Sequence, residues 1–228
     1  MRHLACVLVL GLLLADGATG ETPGALPADS LVELDLPIGE TTVSVRLVRP
    51  DSRMGRPTGP PPGDADGSGE SDTRTDGDAD SRLYPLVVVP ATAGAAARGA
   101  SAWATYSMGV LVSSGVRSRH PAYVAEISLR DAHVNSDADG SGYEALGGAV
   151  ASLVQGLAVD PDRIVLVGEA DGAGIAWRML AREPERYAAG VLIGGRLEPR
   201  HAGRLVGTPL WIFQRADEAL GRSISRIC

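Results

Sequence analysis

The residues placed to do chemistry lie in one short run, Gly168-Glu169-Ala170-Asp171-Gly172. An apolar stretch, Ile164-Val165-Leu166-Val167, leads into it, and an amphipathic stretch from Ala173 leads out. A buried strand, a tight turn with glycines two places either side of its centre, then a helix is the layout of a nucleophile elbow, G-x-S-x-G. Gly168 and Gly172 stand where such a turn tolerates no Cβ. At the centre, where an elbow carries its nucleophile, stands Ala170. Shifting the frame restores nothing: centring on Glu169 puts Val167 and Asp171 at the glycine positions, and centring on Asp171 puts Glu169 and Ala173 there. A dinucleotide fingerprint needs a third glycine that Gly172-Ala173-Gly174 lacks.

Composition narrows the chemistry further. The 21 basic residues are all Arg, which excludes a P-loop lysine, a Schiff-base lysine and a Ser-Lys dyad. The two cysteines, Cys6 and Cys228, make neither a disulfide scaffold nor a Cys-based zinc site. A net charge of −7 argues against a nucleic-acid partner, which requires clustered positive charge. No metal site and no cofactor is expected. Asp64-Ala65-Asp66-Gly67-Ser68-Gly69 and Asp137-Ala138-Asp139-Gly140 resemble pieces of calcium loops. The first lacks the bidentate Glu at position 12, where Thr75 stands, so both are read as solvated loops.

The elements that would position the turn are legible around it. Residues 1–20 read as a signal peptide, with Arg2 at the start, an apolar run from Leu4 to Ala15 and small residues Ala18-Thr19-Gly20 before Glu21. A buried N-terminal helix is the alternative. The expected location is secreted or extracytoplasmic, with Cys228 the one thiol of the exported chain, and no later segment long enough to span a membrane. Residues 21–50 form an N-terminal β segment, in which Leu31–Leu36 and Thr42–Val48 alternate about Gly39-Glu40 as in a hairpin. Residues 51–82 hold six Gly, four Pro, eight acidic residues and four Arg, with only Met54, Ala65 and Ala79 apolar. This composition predicts a disordered acidic insertion.

Residues 83–228 alternate strand and helix. Strands are predicted at Tyr84–Val89, Ala122–Leu129, Arg163–Val167, Ala189–Ile193 and Pro209–Phe213; their runs of Val, Ile and Leu mark a mostly parallel sheet buried on both faces. Helices are predicted at Ala97–Val116, Tyr143–Leu157 and Gly172–Arg182, giving an α/β sheet covered on both sides. Trp103, Tyr106, Trp177 and Trp211 are assigned to its core, and Arg196, Arg200, Arg204 and Arg215 to a solvated face.

Segment 159–195 resembles α/β-hydrolases of the secreted esterase, polyhydroxyalkanoate-depolymerase and prolyl-oligopeptidase-like group. Their phrase V-D-P-x-R-I-x-x-x-G-x-S-x-G-G-x-x-A-W is matched from Val159 to Trp177, and P-x-R-F-A-A by Pro184-Glu185-Arg186-Tyr187-Ala188-Ala189. Tyr84–Val89 is similar to the strand before the oxyanion loop, and Thr208–Phe213 to the strand before the catalytic acid. The resemblance spans about residues 84–220. It implies the α/β-hydrolase fold, an oxyanion hole from the Ala91–Gly94 loop and the Asp171 amide, and Asp217 near the acid position; a surface-turn carboxylate is the alternative for Asp217. Departures from the family are equally specific. Ala170 replaces the serine, Pro90-Ala91 replaces His-Gly after the first strand, and Gln214-Arg215 replaces His-Gly before the acid. The family's histidine follows the acid, yet the four His are His3, His120, His133 and His201. The last strand and helix of the fold are expected to be missing. Loss of the serine alone lowers kcat by about 10⁶ in a triad enzyme. The sequence therefore predicts a catalytically impaired hydrolase-like protein that binds at most a small ester or peptide. A truncated, non-functional esterase fragment and an active ester hydrolase with an unconventional site are the alternatives.

Overall fold

In the computed structural model the described residues are 31–50, 82–92, 106–129 and 140–214. Residues 1–20, predicted as a signal peptide, residues 51–81 of the predicted insertion, the calcium-loop-like runs apart from Gly140, Trp103, His133, Asp217 and Cys228 lie outside them.

Seven strands form one mixed sheet: β1 (Leu31–Ile38), β2 (Thr41–Val48), β3 (Tyr84–Pro90), β4 (Tyr123–Leu129), β5 (Val159–Glu169), β6 (Ala189–Ile193) and β7 (Leu210–Phe213). Their order across the sheet is β1-β2-β4-β3-β5-β6-β7. β1 and β2 pair antiparallel across the Gly39-Glu40 turn, β2 pairs antiparallel with β4, and all later pairs are parallel. In β2, Val43, Val45 and Leu47 are buried on one face while Ser44 and Arg46 point to the other, the two-residue period of a strand with distinct faces. β3 and β5 lie at the centre, so Leu86–Pro90 and Ile164–Gly168 are buried without alternation.

Among the described residues four α-helices cover the sheet: α1 (Tyr106–Val112), α2 (Ser114–Arg119), α3 (Ser141–Gly156) and α4 (Asp171–Arg182). One apolar layer joins α3 and α4 to Val45, Leu86, Ile127, Leu166 and Leu192. A second joins Leu111 and Val112 of α1 to Val87, Val124, Val165 and Val191 on the opposite face. Each Val, Leu or Ile so buried contributes about 1.5–3 kcal/mol relative to exposure. The expected two-sided cover is thus present.

Two expectations need correction. Of the single helix predicted at 97–116, residues 97–105 lie outside the described residues, and the rest is two short helices, α1 and α2, whose second ends at Arg119. Ser113 interrupts them with an extended backbone (φ −61°, ψ 148°), its amide and hydroxyl both donating to the Val110 carbonyl at 3.1 and 2.8 Å. A serine side chain that competes for local backbone bonds favours such a break. The strand predicted at 163–167 begins earlier, at Val159, which pairs with Tyr84. The register shifts between Tyr84 and Leu86, opposite Pro161, because proline has no N–H for the ladder.

Candidate active-site elbow

β5 carries the chain through the middle of the sheet and delivers Ala170 at its carboxyl end, directly before α4. Ala170 has φ 50° and ψ −119°, and is the one non-glycine residue with positive φ among the described residues. These are the angles of the first central residue of a type II′ turn, a position that glycine dominates. Holding an L-residue there costs roughly 1–3 kcal/mol, so the surroundings must over-determine it.

Three close approaches do so. A Cβ on Gly168 would lie 2.6 Å from Ala173 Cα and from the Gly172 carbonyl oxygen. A Cβ on Gly172 would collide with the Pro90 carbonyl oxygen at the end of β3. A Cβ on Gly195, which has φ +79°, would collide with the Ala170 carbonyl oxygen and lie 2.9 Å from Ala173 Cβ. Hydrogen bonds close the same frame. The Ala170 amide donates to the Ile193 carbonyl at 2.9 Å, and the Ala173 amide to the Ala170 carbonyl at 3.1 Å. The Gly194 amide donates to the Phe213 carbonyl at 2.7 Å. Gln214 Nε2 donates to the carbonyls of Gly194 and Gly195 at 2.9 and 3.2 Å. The sequence pointed to Gly168 and Gly172; it missed Gly195 and Gln214, for which the signal was the Gly194-Gly195 pair just past a predicted strand.

Ala170 itself is exposed at the tip. Asp171 is exposed as the first residue of α4, where first-turn amides have no partner within the helix. Ala91 is otherwise engaged: its amide donates to the Ile127 carbonyl at 2.8 Å, continuing the β3–β4 ladder. The oxyanion donor assigned to Ala91 is thereby corrected, since a parallel ladder consumes that N–H. The rest of the loop, from residue 93, lies outside the described residues.

Neither described histidine serves the elbow. His120 follows α2, its amide bonded to the Val116 carbonyl at 2.8 Å, and precedes β4 at the amino-terminal edge of the parallel strands, opposite the elbow at the carboxyl end of β5. His201 lies on the 3-10 helix Pro199–Leu205. The chain leading to it tracks down α4, away from the turn. Gly195 sits on Ala170, the Arg196 carbonyl lies against Gly174, and the Glu198 carbonyl accepts the Trp177 indole N–H at 2.9 Å. Seven residues of helix place Trp177 about 10 Å along the axis from Ala170. There His201 Nε2 lies 3.1 Å from Glu198 Oε2, Arg200 lies 2.6 Å from the same oxygen, and Arg178 bridges Glu198 to the Tyr143 hydroxyl. Burial pushes the Glu198 carboxyl up, but hydrogen bonds and charge from Arg178 and Arg200 outweigh it and hold it below its ordinary range. This cluster fastens α3, α4 and the 3-10 helix together. Trp177 is fully buried and Trp211 half-buried in the core, as expected of both.

A cavity of about 260 Å³ lies elsewhere, on β1, β2 and β4. Its rows Glu33–Arg46–Glu126 and Asp35–Ser44–Ser128 follow the strand register, with Arg46 paired to Glu33 at 2.9 Å and Ser44 donating to Asp35 at 2.8 Å. Among the described residues no group of three His, Cys, Asp or Glu could hold a metal ion, and no helix is long and apolar enough to cross a membrane.

No family model matches the chain, and no curated protein matches it by sequence. Solved structures do match. A thermostable esterase superposes with a TM-score of 0.57 at 20% identity, over 87% of this chain and 51% of its own. The substrate-bound fluorophosphonate-binding serine hydrolase F of Staphylococcus aureus gives a TM-score of 0.52 at 10% identity, over 86% of this chain and 83% of its own. This chain has the α/β-hydrolase fold. At such identities the likeness speaks for the fold, and the chain spans about half the length of the thermostable esterase. Within this α/β-hydrolase fold, the β5–α4 turn brings Gly168, Ala170, Asp171 and Gly172 together, and the segments just after β6 and β7 add Gly195 and Gln214.

Proposed function

We propose that the chain is an exported, non-catalytic member of the serine-hydrolase fold that binds a small ester or peptide over its elbow. The observation that carries this reading is Ala170, whose strained backbone is kept by a close-packed frame while its side chain is only a methyl. Acyl transfer by the elbow route needs an oxygen or sulfur nucleophile activated by a base. Ala170 supplies no such atom, and His120 and His201 lie away from it. What the frame retains is the start of α4, where the Asp171 and Gly172 amides precede the first bonded amide, that of Ala173, and attract a carbonyl or anionic oxygen. Export rests on the basic, apolar and small-residue regions of residues 1–20, in that order.

The test uses 4-nitrophenyl esters with acyl chains of two to eight carbons, and an N-acetylated dipeptide. No turnover is expected, together with a ligand-dependent rise in the unfolding temperature. Tenfold excess over Kd would contribute about 1.4 kcal/mol. Ala170→Ser is expected to stay inactive. Turnover by the unaltered chain, or no thermal shift with any ligand, would overturn the proposal; activity gained by Ala170→Ser would point to His133 as its base.

A further inference from the structure

We propose that Gln214 is a positioning residue for the elbow: its side-chain amide locks the Gly194–Gly195 turn against the Ala170 peptide and so holds the tip in its strained conformation. This rests on reading residues 168–172 as a nucleophile elbow. The argument begins at β6, which ends at Ile193 and is followed by two glycines with φ +65° and +79°. Two consecutive left-handed residues present both their carbonyls to Gln214, the residue after β7. Gln214 Nε2 meets both, at 2.9 and 3.2 Å. A primary amide has two N–H donors on one nitrogen, which suits two converging acceptors; a carboxylate, an imidazole or an alkyl group at that atom does not. The orientation leaves Gln214 Oε1 buried without a hydrogen-bond partner among the described residues. The opposite orientation would set that oxygen against two carbonyl oxygens.

The locked turn touches the elbow at two points. Ile193, one residue before it, accepts the Ala170 amide at 2.9 Å. Gly195, at its end, lies so close to the Ala170 carbonyl that no Cβ fits between. The tip is thus gripped at both its N–H and its C=O by a segment that Gln214 and the Gly194–Phe213 bond tie to β7. Without the Gln214 donor the turn keeps only its main-chain bond to Phe213, and the tip can relax.

A thiol at the tip reports the geometry. In full-length chain carrying Cys6→Ser and Cys228→Ser, Ala170→Cys places a single thiol beside the first turn of α4. Proximity to a helix N-terminus lowers a thiol pKa below about 8.5. The pH profile of its alkylation by iodoacetamide is measured with Gln214, and with Gln214→Leu, Gln214→Glu and Gln214→Asn. Loss of the donor is expected to raise the apparent pKa by about one unit and to slow alkylation at pH 7 about tenfold, since each unit is tenfold in thiolate near neutrality. A residue that merely stabilised β7 would lower the unfolding temperature and leave this profile unmoved. If Gln214→Leu fails to fold, Gln214→Asn, which keeps the donor but cannot span the distance, gives the same reading. Coincident profiles in a folded variant overturn the proposal. Ester turnover does not enter this readout, so its result stands apart from that of the proposed function.

Discussion

Replacing Gly195 with alanine, against Gly194 with alanine, isolates the contact that holds the elbow. Both glycines have positive φ, +65° at Gly194 and +79° at Gly195, so each pays the left-handed penalty of an L-residue, about 1–2 kcal/mol. Both recover about 0.4–1 kcal/mol from the stiffer unfolded chain. Their surroundings differ. A Cβ at Gly194 has nothing within 4 Å, whereas one at Gly195 meets the Ala170 carbonyl and, at 2.9 Å, Ala173 Cβ. Overpacking against fixed backbone adds about 1–3 kcal/mol, at the upper end here because no side chain can swing away. Gly194→Ala should therefore lose about 1 kcal/mol and Gly195→Ala about 3–4. At about 2–4 °C per kcal/mol, that is a few degrees against roughly 6–16 °C in a thermal melt followed by circular dichroism. Equal losses in the two variants would refute the claim that the turn after β6 bears on the elbow.

Other groups make further outcomes testable. Glu198 titrates below its ordinary range when folded, so its contribution is present above the unfolded carboxyl value, about 4.3, and is lost as pH falls through the folded value. Acid unfolding of the unaltered chain should therefore steepen below about pH 4.3, and Glu198→Gln should flatten that limb while lowering stability at pH 7. For Tyr187, burial pushes the phenol well above its usual range, with Arg186 pulling it down and Glu183 up. Its neutral form is thus favoured by folding, and stability is lost as pH rises past the unfolded value of about 10. Absorbance at 295 nm should show this tyrosine ionising only as the chain unfolds; a phenolate seen in folded protein would contradict the burial.

Much of the sheet could be read from local pattern. The β1–β2 hairpin follows from alternation on either side of Gly39-Glu40, and β6 from a short buried run that coincides with Ala189–Ile193. What failed was set by tertiary context. The helix break at Ser113 depends on one hydroxyl choosing a carbonyl three residues back. The early start of β5 depends on Tyr84 offering a partner across a shifted register. The 3-10 helix Pro199–Leu205 carries no hydrophobic period of its own and is held by Trp177 and Arg178 of α4. At the elbow, the glycine spacing was visible because it is local. Gly195 and Gln214 were not, because they come from the segments after two other strands, Gly195 against Ala170 and Gln214 through the Gly194 and Gly195 carbonyls, and the Ala91 amide could not be known to be paired until Ile127 was seen opposite it.

The central claim is that an elbow without a nucleophile is retained in an α/β-hydrolase fold. Incubation with a fluorophosphonate, read by intact mass, tests it most directly, because such reagents phosphonylate an activated serine. The account predicts no mass increase for the unaltered chain. A stoichiometric adduct, mapped to any serine, would show that this chain has an activated hydroxyl after all.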